Sequence, residues 1–145
     1  MMALLRIFTG VQFIHAGVMK WDWIGTGKLA AMLSSWAANG AFAGYNRLLI
    51  QDVLPHAALF TYLVVFGEVC VGTLLVLGLL TRLAALLALV MNVNYLLATW
   101  HLGTASQGFN ESLLVIEIAL IAVGAGRALG MDAPLARNKP GGLLW

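Results

Sequence analysis

The sequence predicts an all-α fold: a membrane-embedded four-helix bundle with an interfacial helical loop between helices 1 and 2, formed as a single domain over residues 1–145. Three observations predict it. Hydrophobic residues make up 61% of the chain and charged residues only 10%, with a mean hydropathy of +0.92, whereas a water-soluble domain covers its surface with roughly a quarter of its residues charged. Four stretches approach the ~20 mostly apolar residues that cross a bilayer core as a helix. These runs are continuous and do not alternate, which excludes the closed barrel, the other way to satisfy every backbone group in lipid.

The first helix is read over about 3–20 and ends at Trp21 and Trp23, aromatic side chains suited to the headgroup level. No convincing small-residue cleavage site follows it, so it is read as a retained helix and not as a signal peptide. The loop 21–54 carries Leu29, Met32, Leu33 and Trp36 at helical spacing, with Lys28, Ser34 and Ser35 off that stripe. This pattern predicts a short helix lying in the interface. Asn39, Gly40 and Gly44 interrupt it, and Tyr45 to Val53 leads back to the membrane. The second helix is read over about 56–80, with Pro55 where a helix start tolerates it. A break at Thr81 and Arg82 precedes the third helix, 83–101, whose far end Trp100 marks. A polar link from Gly103 to Gly108 leads to the fourth, 110–127. The tail 128–145, with Pro134, Pro140, Gly141 and Gly142, reads as irregular, and its end at Leu143, Leu144 and Trp145 suits a membrane surface or a partner.

Four crossings put both termini on one side, together with Arg6, Arg82, Arg127, Arg137 and Lys139; Lys20, Lys28 and Arg47 fall opposite. The positive-inside tendency therefore places the termini in the cytoplasm and the bundle in the cell's inner membrane. The loop 21–54 then faces outward.

Each helix offers a face on which its polar and small residues collect. Gly10 and Gly17 lie seven apart with Arg6 and Lys20 near them, a pattern that lets helices approach closely in lipid. Gly72 follows Glu68 by one turn; Ala85, Ala88, Asn92 and Thr99 share a side of the third helix; Asn110, Leu113, Glu117, Leu120, Gly124 and Arg127 align on the fourth. Glu68 and Asn92 fall near mid-membrane and Glu117 in the outer half. A charge at the bilayer centre costs roughly 2.5–3.5 kcal/mol on insertion scales, so these carboxylates need partners, protons or water. Two readings stand for Glu68: a proton-handling group, or a structural lock held by Asn92, Asn94 or backbone. A lipid-open pocket lined by Glu68, Asn92 and Glu117 would favour the first, and mutual pairing of those groups the second.

His15, His56 and His101 fall toward the outer rim, and no two share a helix at ligand spacing, so no metal or haem motif is read. His101 beside Trp100 is a candidate for proton or substrate handling, with Lys20 and Arg47 as anion contacts and ordinary interfacial snorkelling as their alternative. Cys70 is the single cysteine, so no disulfide or paired-thiol centre forms within one chain. Gly124, Ala125 and Gly126 are too short a run for a phosphate cradle. The net charge of +2 gives no indication of nucleic-acid binding, since topology accounts for the basic residues.

Arg6-Ile7, Gly10, Gly17 and Lys20, then Gly67-Glu68, Gly72 and the run Leu77-Gly78-Leu79-Leu80-Thr81-Arg82-Leu83-Ala84-Ala85, and finally Gly124-Ala125-Gly126-Arg127 with Asp132, span nearly the whole chain. Together they resemble the signatures of the DoxX family. The sequence is also similar to the DoxD branch, the membrane subunit associated with thiosulfate:quinone oxidoreductase. That resemblance implies two thiosulfates joined to tetrathionate, with quinone taking the electrons. On it, Glu68, Glu117 and His101 would be catalytic, and Lys20, Arg47 and Asn92 would bind substrate, a small sulfur anion or quinone. A non-catalytic accessory subunit of a larger redox complex is the alternative, with Trp36, Tyr45 and Trp145 as partner contacts. A small transporter ranks third, because the chain shows no internal repeat; homo-oligomerisation stays open.

Overall fold

A computed structural model describes residues 1–127 and 130–138. Its helices in chain order are α1 (Met2–Met19), α2 (Lys28–Asn39), α3 (Ala43–Leu48), α4 (Ala57–Leu77), α5 (Thr81–Thr99), α6 (Thr104–Val123) and α7 (Asp132–Asn138). Among the described residues, four helical spans are long and apolar enough to cross a membrane: Met2–Trp23, Ala43–Leu77, Thr81–Leu102 and Thr104–Val123. Large apolar side chains such as Leu4, Leu59, Val115 and Ile118 are more than half exposed on the bundle's outside, as lipid-facing positions are in a protein whose solvent is hydrocarbon. The protein is thus an α-helical membrane protein.

The four spanning helices pack chiefly as two antiparallel pairs, α1 with α4 and α5 with α6. The first pair is drawn together by glycine. A Cβ on Gly10 would stand 2.7 Å from the Gly72 carbonyl oxygen, one on Gly72 2.6 Å from that of Gly10, and one on Gly17 3.0 Å from that of Val65. Backbone therefore meets backbone along the stripe read from the sequence, and close packing replaces the hydrophobic drive that lipid does not supply.

At the rim that carries the N-terminus, α4 ends in a tight reversal. Gly78 is left-handed (φ +67°) and Leu79 N–H returns to the Leu74 carbonyl, a helix-terminating arrangement that suits glycine. Leu80 is then, among the described residues, the one non-glycine with positive φ (49°), a conformation that costs a side-chain-bearing residue roughly 1–2 kcal/mol. Asp132 offsets that strain: its carboxylate accepts the Leu80 N–H at 2.7 Å and the Thr81 N–H at 2.9 Å, while its own N–H donates to the Gly78 carbonyl. The chain break thus falls at 78–80, and Thr81, expected in the break, opens α5 as its capped first residue. Arg6, 1% exposed, reaches the Ala125 carbonyl in the same knot.

At the opposite rim, α2 lies over the bundle as the loop's apolar stripe predicts, burying Leu29, Leu33 and Ala37. The stretch after it is helical almost throughout: α3, a π-helical turn (Leu49–Val53) and a 3-10 turn (Leu54–His56) run into α4. The second crossing, read over 56–80, has its regular α-helical part at Ala57–Leu77, and the third runs from Thr81 to Thr99 where 83–101 was expected. The fourth helix differs more. The link expected from Gly103 to Gly108 belongs to α6 from Thr104 onward, because its polar side chains bond back to the end of α5: Ser106 Oγ to Thr99 Oγ1 at 3.1 Å and Gln107 Nε2 to the Trp100 carbonyl at 2.8 Å. That early start moves Glu117 to the thirteenth step along α6, six residues from its end and so about 9 Å from it. Glu117 therefore lies in the half of the bundle near the N-terminal rim, not in the outer half. The tail also departs from expectation, since Asp132–Asn138 is helical. Lys139 to Trp145, including the proposed docking end, lie outside the described residues.

Candidate functional site

Glu68 sits on the inward face of α4, nine residues and about 14 Å from the helix end at the N-terminal rim, and it is fully buried. Its partner is Lys20. The first helix ends just before Lys20, whose chain folds back along α1 so that Nζ lies 3.4 Å from the Ala16 carbonyl and donates to both Glu68 oxygens, at 2.7 and 2.8 Å. Tyr95, from α5, donates its hydroxyl to Glu68 Oε1 at 2.6 Å. The ammonium also stands over two rings, 5.3 Å from the centroid of Tyr95 and 5.7 Å from that of Trp23. A buried carboxylate is tolerated where a cation and hydrogen-bond donors compensate it, and three helices converge here to supply them.

Beside this triad a cavity of about 450 Å³ opens in the half of the bundle away from the N-terminus, under α2. Lys20, Glu68, Asn92, Tyr95 and Asn110 give it polar walls, and Phe13 and Trp36 apolar ones. His15, exposed on α1, stands at its edge. Asn92 is 1% exposed and donates to the Asn110 carbonyl at 3.0 Å and to Glu117 Oε2 at 3.5 Å. Glu117 itself is fully buried between α5 and α6 and is not in the cavity wall. Its Oε1 has no hydrogen-bond partner among the described residues.

A second cavity of about 370 Å³ runs alongside, between α2 and the α4–α5 face. Leu29, Leu33, Phe60, Val64, Met91 and Ala98 make it almost wholly apolar. Trp23, Trp36 and Tyr95 line both cavities, which are therefore neighbours.

Of the residues singled out from sequence, the structure brings Lys20, Glu68 and Asn92 to one cavity and hangs Glu117 behind Asn92. It does not gather Arg47 or His101 with them. Arg47 is exposed on α3, and His101 is half-buried in the 3-10 turn after α5, with its Nδ1 unbonded among the described residues. Neither lines either cavity. Trp36 and Tyr45, considered as partner contacts, are half-buried and face inward to the apolar cavity. Cys70 is exposed on α4, away from both cavities. Glu68 is held by neither Asn92 nor Asn94, because α1 brings a lysine to it. Tyr95 escaped the sequence reading altogether. The available signal was its spacing: it lies three residues beyond Asn92 on the same face of α5, where i and i+3 are neighbours.

No solved structure matches the chain. The model of the DoxX family matches residues 1–101, from α1 to the turn after α5. This span contains Arg6, the glycine stripe, Lys20, Glu68, Asn92 and Tyr95, whereas Asn110, Glu117 and Asp132 follow it. With the matched span covering well over half of the sequence, the chain belongs to the DoxX family.

Proposed function

We propose that this protein is the quinone-binding membrane subunit of a redox assembly, with thiosulfate as the electron donor, and that the Lys20–Glu68–Tyr95 triad holds the quinone ring and handles its protons. The observation that carries this reading is a buried ion pair and a phenol hydroxyl facing a cavity of small-molecule size. A quinone ring presents two carbonyl oxygens and needs donors to bind it. Lys20 Nζ and the single Tyr95 O–H, which donate to Glu68 in this structure, are the groups that would turn to the ring oxygens, with Glu68 as the acceptor through which a proton given up by either is replaced.

The reaction balances as follows. Two thiosulfates lose one electron each as a sulfur–sulfur bond joins them into tetrathionate; the quinone takes both electrons, and each ring oxygen takes one proton to give the quinol. On this reading the Lys20–Glu68–Tyr95 site serves the quinone half. The thiosulfate half belongs to the surface at the loop rim or to a partner subunit, with Arg47 and His101 as its anion contacts on this chain. The topology that goes with this reading has the termini in the cytoplasm of a cell whose inner membrane houses the bundle, and the cavity in the outer half.

The test is thiosulfate-dependent quinone reduction by the protein purified with its native partners. Loss of turnover by at least tenfold in Glu68→Gln and Tyr95→Phe, both still folded, is the expected result. A native assembly that retains quinone and shows no turnover, or full turnover in both variants, would refute the reading and leave a non-catalytic accessory role.

A further inference from the structure

The two cavities are neighbours of opposite character, and their adjacency points to the shape of the ligand. One is lined by an ion pair, two asparagines and a phenol. The other is walled by aliphatic and aromatic side chains, with Tyr45 and Asn94 among its polar residues. Tyr95 donates its hydroxyl to Glu68 and lines both cavities. The apolar cavity is also open to lipid. Leu63 and Val90, at its α4 and α5 edges, are 56% and 54% exposed on the surface that faces the bilayer. Above that opening Tyr45 ties α3 to α5 by donating to the Asn94 carbonyl at 3.1 Å, so the groove is roofed at the rim by α2 and α3 and reached from the side.

We infer that the apolar groove between α2, α4 and α5 binds the isoprenoid chain of a lipid quinone whose ring occupies the adjacent polar cavity, the chain entering sideways past Leu63 and Val90. This rests on the quinone reading above and makes it specific: the ligand is a tailed, membrane-resident quinone and not a soluble one. The adjacency of the two cavities, both lined by Trp23, Trp36 and Tyr95, is what commits the groove to the same molecule as the polar cavity, the chain passing between these side chains. A ring held by Lys20 and Tyr95 would have its substituent chain beside Trp23 and Trp36, with the apolar groove beyond them. An apolar chain gains by leaving disordered lipid only through close packing, and the groove offers aromatic walls for it.

The experiment compares two probes, a ubiquinone with a short isoprenoid tail and the same ring without one. Binding is read by quenching of the tryptophan fluorescence, with concentrations corrected for partition into the micelle. Val90→Trp places a large side chain at the groove's mouth on a lipid-exposed position, where folding tolerates it, and Ala98→Leu narrows the groove from inside. The tailed quinone is expected to bind the unaltered protein at least tenfold more tightly than the tail-less one. Val90→Trp is expected to erase that advantage while leaving the tail-less quinone within twofold. Glu68→Gln is expected to weaken both. If Val90→Trp and Ala98→Leu leave the ratio of the two affinities unchanged, the chain does not lie in the groove, and this inference fails while the quinone site stands. If neither quinone binds the unaltered protein, the quinone site fails and the inference goes with it.

Discussion

Removing Lys20 should destabilise the bundle more than removing the charge of Glu68, although the two form one ion pair. Lys20 Nζ lies 2.7 and 2.8 Å from the carboxylate oxygens, and Glu68 is fully buried whereas the Lys20 side chain keeps 19% of its surface exposed. At an effective dielectric of ~20 and a separation of ~3 Å, the attraction is about 5–6 kcal/mol, most of it offset by the cost of taking both charges out of water. In Lys20→Met the carboxylate stays where it is, with Tyr95 as its remaining donor. Breaking a buried pair this way costs roughly 3–5 kcal/mol, and the retained hydrogen bond sets the expectation at about 3. In Glu68→Gln the lysine extends along its own stem toward the nearby rim, and Tyr95 donates to the amide oxygen, so the cost is that of charge-assisted hydrogen bonds, about 1.5 kcal/mol. The double variant should then lie within about 1 kcal/mol of Glu68→Gln alone, a coupling of about 2 kcal/mol or more. Reversible unfolding in mixed micelles, run as a complete double-mutant cycle, measures all three. Equal losses in the single variants that simply add in the double would refute the asymmetry and the pairing on which the site is built.

Three further outcomes follow from other parts of the structure. Gly10→Ala sets a Cβ 2.7 Å from the Gly72 carbonyl oxygen and 2.9 Å from the Val76 nitrogen, so α1 and α4 must part; a loss of about 1–3 kcal/mol is expected, read by the same unfolding assay, and an unchanged midpoint would contradict the contact. Asp132→Ala strips the acceptor from the N–H groups of Leu80 and Thr81 and should cost about 2 kcal/mol, with faster amide exchange at those two positions; unaltered exchange would place the cap elsewhere. Glu117→Gln keeps the bond from Asn92 while replacing a fully buried ionisable group, so thermal stability should hold or rise; a loss above about 1 kcal/mol would reveal a partner for that carboxylate.

The membrane class, the four crossings, the interfacial helix and the glycine stripe were legible in the residues because each is a property of one segment. Hydropathy over ~20 residues reports a crossing, and a period near 3.6 reports a face, without reference to any other helix. The polar residues needing explanation were legible for the same reason: Lys20, Glu68, Asn92 and Glu117 stand out against apolar neighbours. Their relations were not. That Glu68 meets Lys20 and Tyr95 depends on how far α1 slides along α4 and α5 along both; backbone contact at Gly10, Gly17 and Gly72 sets the register of α1 on α4. The depth of Glu117 turned on six residues at the start of α6, whose polarity reads as a loop until Ser106 and Gln107 are seen bonded to the end of α5. Asp132 gave no local sign that it would cap a helix begun fifty residues earlier. The sequence by itself determined which segments enter the bilayer and which of their side chains are costly there; only the tertiary structure decided which of those costs cancel one another, because a charge pair is formed by distance in space and not by separation along the chain.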